Sequence, residues 1–106
     1  MAEGSYEFTV YRHACEVADQ WCVIQIPCYV SEAREALALA QGDHIPDLRR
    51  ALGQPLRNLD MELRRPMYVF DKGTIVTKAY DVDGRFAFIH QVLSSDQLHA
   101  VVIERF

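Results

Sequence analysis

Two alternating apolar segments flank Asp83-Gly84, and that dipeptide constrains the fold more than any other feature of the chain. A tight two-residue hairpin needs positive φ at both turn positions, which Gly adopts freely and Asp tolerates. Upstream, Thr74 to Tyr80 reads as a strand. Downstream, Arg85 to Leu93 reads as its partner, with Phe86, Phe88, His90 and Val92 on one face. Met67 to Phe70 forms a short strand before a tight turn at Asp71-Lys72-Gly73. Ser94 to Gln97 is a polar turn, and Leu98 to Glu104 closes the sheet. The last forty residues therefore predict an antiparallel meander.

The first part of the chain reads differently. Tyr6 to Ala14 alternates and is rich in aromatic and β-branched residues, which predicts a half-buried strand. Trp21 to Val30 is apolar at nearly every position, which predicts a central strand with Pro27 at a bulge or near its end. Ser31 is a natural N-cap for a helix from Glu32 to Gln41, with Gly42 as its stop. Pro46 opens a short helix that Gly53 ends. Pro55 opens a third, with Leu56, Leu59 and Leu63 at helical spacing, and Pro66 terminates it. The predicted order is ββ–ααα–ββββ: an α+β domain with a single antiparallel sheet and short helices packed on one face. That order is similar to the one in PAS-type sensor domains, as an analogy of fold order alone, since no PAS sequence motif is present.

A chain of 106 residues with half of them hydrophobic suits one globular domain spanning residues 1–106. The net charge of −4 hides an asymmetry: residues 1–43 carry −5, and residues 44–72 carry +2. An acidic chain of this kind is a poor candidate for nucleic-acid binding. The longest apolar run, Ala36 to Ala40, is too short to span a membrane, and the start lacks the pattern of a signal peptide. Three cysteines, an odd number, fit a reducing cytoplasmic setting better than a disulfide scaffold.

Few residues carry recognisable chemistry. His13, Cys15, Cys22 and Cys28 form a thiol and imidazole set that suits a metal or a redox pair, although no CxxC occurs and cysteines also serve as small buried hydrophobes. No P-loop, GxGxxG, HExxH or nucleophile elbow is present, and no cofactor is implied. His90 stands among apolar neighbours, as a core histidine or a perturbed base. With Trp21, Phe86 and Phe88 it would line a pocket between sheet and helices. His44 and His99 read as solvated loop or strand-end residues. Arg49, Arg50, Arg57, Arg64 and Arg65, with Tyr68 and Tyr80, offer a contact surface for an acidic protein partner. The surplus of aromatic residues predicts self-association.

These observations predict a non-enzymatic binding or regulatory module of accessory or inhibitor type. A small-ligand sensor and a metal or thiol-redox protein are the alternatives.

Overall fold

The computed structural model describes residues 2–42 and 46–106. Asp83 and Gly84 take φ of +54° and +81°, and the Gly84 amide donates to the Asp81 carboxylate at 2.9 Å. The hairpin turn is therefore built as the sequence requires. A second turn of the same kind follows at Ser95 and Asp96, with φ of +51° and +61°. Between and around these turns run β3 (Lys72–Val82), β4 (Arg85–Ser94) and β5 (Gln97–Arg105), all antiparallel.

Two further strands complete a five-stranded sheet: β1 (Ala2–Thr9) against β3, and β2 (Asn58–Leu63) against β5. The order across the sheet is β1-β3-β4-β5-β2. A long helix, α1 (Ile26–Gln41), packs on one face, and a short one, α2 (Pro46–Ala51), lies beside it. The α+β class with one antiparallel sheet and helices on one face holds, but the element order does not follow the PAS-like expectation. One strand comes first, then the helices, then four strands.

Two segments fold against their local reading. Trp21 to Val30 is not a strand. Residues 23–25 form a 3₁₀ turn and α1 begins at Ile26, with Pro27 in its first turn, where a missing N–H costs nothing. Ser31 consequently lies inside the helix rather than capping it. Ile26, Val30, Ala33 and Leu37 are buried at spacings of three and four, with Ala38 beside them, the stripe of a helix pressed into a sheet. Each of the larger three stabilises the fold by about 1.5–3 kcal/mol through burial. The segment from Pro55 to Arg65 is not a helix either. Leu59, Met61 and Leu63 alternate, while Leu56, Leu59 and Leu63 also fit helical spacing, and pairing along β5 decides for the strand.

Smaller differences concern boundaries. Arg12–Ala14 is a 3₁₀ turn, outside β1. Of the predicted strand Met67 to Phe70 only an isolated bridge remains, from Tyr68 to Gln20. Gly42 ends α1 with helical φ of −62°, not in the left-handed region.

Gly73 has a packing role. It stands opposite Phe8 across the β1–β3 ladder, and a Cβ there would meet the Phe8 ring at 2.4 Å. Its bare backbone lets Phe8 lie over β3 and meet Trp21 and Tyr29, with ring centroids 5.2 and 5.3 Å away. This aromatic cluster fills the core at the start of α1. Phe86, Phe88 and Phe106 fill the opposite end, with Leu37 and Leu48.

Candidate functional site

The stretch between β1 and α1 makes three 3₁₀ turns in place of regular structure. A bridge from Cys15 to Trp21 folds it on itself, and one from Gln20 to Tyr68 ties it to the segment before β3. Trp21 is thereby drawn inward, and its amide donates to the Met67 carbonyl at 2.7 Å. The residue is 4% exposed, and its Nε1–H has no partner among the described residues. An unpaired buried donor costs about 1–3 kcal/mol.

Trp21 lines a slot of about 230 Å³ between the approach to α1, the end of β2 and the start of β5. Its walls are Trp21, Val23, Ile26, Leu63, Pro66, Met67 and Ala100, and its polar groups are Gln20, Arg64, Arg65 and His99. The combination is that of a small-molecule site: apolar surface with a few polar groups. Arg64 forms a solvent-exposed pair with Glu62 at 3.0 Å, while Arg65 has no ion pair among the described residues. Two adjacent guanidinium groups suit phosphate or carboxylate.

His99 was expected to be a solvated loop or strand-end residue, and it stands near the start of β5. It is half-buried in the slot wall, and its Nδ1 lies 3.2 Å from the Pro66 carbonyl. No sequence motif announces this, because the site is assembled from the approach to α1, the segment after β2 and the start of β5.

The predicted pocket residues do not come together. Trp21 lines the slot, whereas Phe86, Phe88 and His90 are buried elsewhere in the core. His90 Nδ1 meets Thr77 Oγ1 at 2.7 Å, and its Nε2 donates to Glu104 at 2.6 Å. Arg34 of α1 binds the other Glu104 oxygen and lies over the Phe106 ring at 4.9 Å. Burial raises the Glu104 carboxyl, but the hydrogen bond and charge of His90, with those of Arg34, outweigh it and hold it below its ordinary value.

The arginine surface is divided. Arg57 and Arg64 flank the strand β2, so their separation is roughly 23 Å and an odd number of residues places them on opposite faces. Arg49 and Arg50 belong to α2, and Arg49 donates to the Leu39 carbonyl at 3.4 Å. Tyr68 and Tyr80, both exposed, stand near opposite ends of β3.

The thiol and imidazole set is also dispersed. His13 and Cys28 line an open cleft with Tyr6 and Glu32, where the Tyr6 hydroxyl donates to Glu32 at 2.6 Å. That bond, followed by burial, raises the tyrosine pKa. Cys15 instead bonds the Tyr11 carbonyl through sulfur at 3.6 Å, and burial with the Asp19 charge raises its thiol pKa. All three cysteines are free, and no group of three metal-ligating side chains occurs among the described residues. His44 lies outside the described residues.

A long helix wrapped by a five-stranded antiparallel sheet in this order is the hotdog fold. Solved structures share it over nearly the whole chain. The chain is similar to a 1,4-dihydroxy-2-naphthoyl-CoA thioesterase from Synechocystis, with TM-score 0.83 and 18% identity over 97% of this chain and 79% of that one. It is also similar to the 4-hydroxybenzoyl CoA thioesterase from a Pseudomonas species, with TM-score 0.83 and 15% identity over 99% and 83%. A gentisyl-coenzyme A thioesterase gives TM-score 0.82 and 18% identity over 96% and 86%. No family model matches the sequence, and no curated protein matches it significantly. These neighbours are enzymes, which overturns the expectation of a non-enzymatic binding or regulatory module of accessory or inhibitor type. No helix among the described residues is long and apolar enough to cross a membrane.

Proposed function

We propose that this chain hydrolyses a thioester of coenzyme A, holding the acyl group in the Trp21 slot. The observation that carries the reading is the slot itself, apolar walls with a few polar groups, in a fold whose neighbours bear the names of coenzyme A thioesterases. Its apolar walls suit an acyl group of modest size. Arg64 and Arg65 suit the phosphates of the carrier. Release of free thiol from acetyl-, octanoyl-, benzoyl- and hydroxybenzoyl-coenzyme A tests the reading. Turnover of at least one is expected, with Arg65→Ala raising KM more than it lowers kcat. No thiol release above the uncatalysed rate from any of them overturns it.

The same reading includes assembly from two copies. β2 is an edge strand, with backbone groups free to pair, and Leu63, Val23 and Ile24 near it are exposed by 49%, 36% and 76%. Pairing of β2 with its symmetry mate would cover these side chains and close over the slot. Light scattering at micromolar concentration is expected to give twice the chain mass, and a monomer there refutes the assembly. Three free thiols support a cytoplasmic setting.

A further inference from the structure

The β4–β5 ladder is irregular at one point. Val92 stands opposite Ala100, but Leu93 stands opposite Leu98, so His99 is an extra residue in β5. Such bulges re-aim a side chain, and this one lies beside the slot. The backbone around it is fixed: the His99 carbonyl accepts from the Arg64 and Arg65 amides at 2.9 and 3.2 Å. Its ring is fixed as well. A carbonyl can only accept, so Nδ1 carries the proton that it donates to Pro66, and in the neutral ring Nε2 keeps its lone pair. Gln20, Arg64 and Arg65 cannot take a proton at neutral pH. Among the described residues that line the slot, His99 is therefore the only available base.

We infer that His99 is the general base of the thioester hydrolysis proposed above, an assignment that rests on that reading. Its Nε2 takes a proton from water as the water oxygen bonds to the thioester carbonyl carbon. The carbonyl π pair moves onto oxygen, where the side-chain donors that line the slot, Gln20, Arg64 and Arg65, are available to stabilise it. The intermediate then collapses, the C–S bond breaks, and the leaving thiolate takes the proton back from Nε2. The products are a carboxylic acid and a free thiol, and no further reactant is needed.

His99→Asn provides the test. The Asn amide nitrogen can keep the hydrogen bond to Pro66 while the Nε2 lone pair is lost. On the best thioester of the panel, kcat is expected to fall 10²–10⁴-fold, with affinity for a non-hydrolysable acyl-coenzyme A thioether changed by less than about threefold. The acid limb of the pH–rate profile should vanish with it. The charged groups that share the slot with His99 are Arg64 and Arg65, and no carboxylate lines it. In His99→Ala, added imidazole should restore part of the rate. A variant that keeps kcat within fivefold and retains the acid limb overturns the assignment and leaves the thioesterase reading intact. A wild-type chain that hydrolyses no thioester overturns both.

Discussion

His90 Nε2 donates to Glu104 Oε1 across 2.6 Å between two adjacent strands, with both side chains buried. Glu104 accepts on its other oxygen from Arg34, so one carboxylate joins β4, β5 and α1. Thr77 Oγ1 completes the set, 2.7 Å from His90 Nδ1. Breaking such a set by removing one charge strands the other. Glu104→Ala is therefore expected to lose about 3–5 kcal/mol in urea unfolding. A triple replacement, Arg34→Met, His90→Phe and Glu104→Leu, removes every partner at once and should lose far less. A greater loss in the triple variant than in Glu104→Ala would refute the account.

The same carboxylate sets an acid dependence. Its folded pKa lies below the ordinary value, so folding favours its ionised form. The stability it contributes is complete above the unfolded carboxylate value, about 4.3. It is lost as the pH falls through the lowered folded value. The unfolding free energy of Glu104→Gln should accordingly decline less steeply than that of the wild type below about pH 4.3. Parallel curves would remove Glu104 from the acid response.

The meander was legible because its turns are local chemistry. Asp83-Gly84 announces its own φ, and the alternation on either side needs no partner to be read. The start of α1 was not legible, because a helix embraced by a sheet is apolar where a central strand is also apolar. Pro27 permits both readings, at a strand end or in a first helical turn. β2 was hidden for a related reason: its leucines satisfy both periods, and only β5 chooses between them. The slot had no signal in the sequence at all. Trp21, Arg65 and His99 stand far apart in the chain, and the His99 bulge appears only once β4 and β5 are in register.

Ala18 carries strain that can be relieved. Its φ of +68° lies in the left-handed region, which costs a non-glycine residue roughly 1 kcal/mol. The residue is exposed, so no packing is lost on removing its methyl group. Ala18→Gly should raise stability by up to about 1 kcal/mol, less the extra entropy of the unfolded chain. A melting temperature below that of the wild type would contradict the strain.

Trp21 joins stability to function. Its ring packs against Phe8 and Tyr29, with the Tyr29 centroid 4.9 Å away, while its buried N–H has no partner among the described residues. Trp21→Phe keeps an aromatic ring and deletes the donor. The smaller ring loses packing, and removal of an unsatisfied polar group offsets part of that loss. Stability should then change by only about 1 kcal/mol. The KM for a thioester should rise severalfold, because the indole ring forms part of the slot's apolar wall. Steady-state kinetics beside urea unfolding separate the two. Unchanged KM with lowered stability would return Trp21 to a purely structural role.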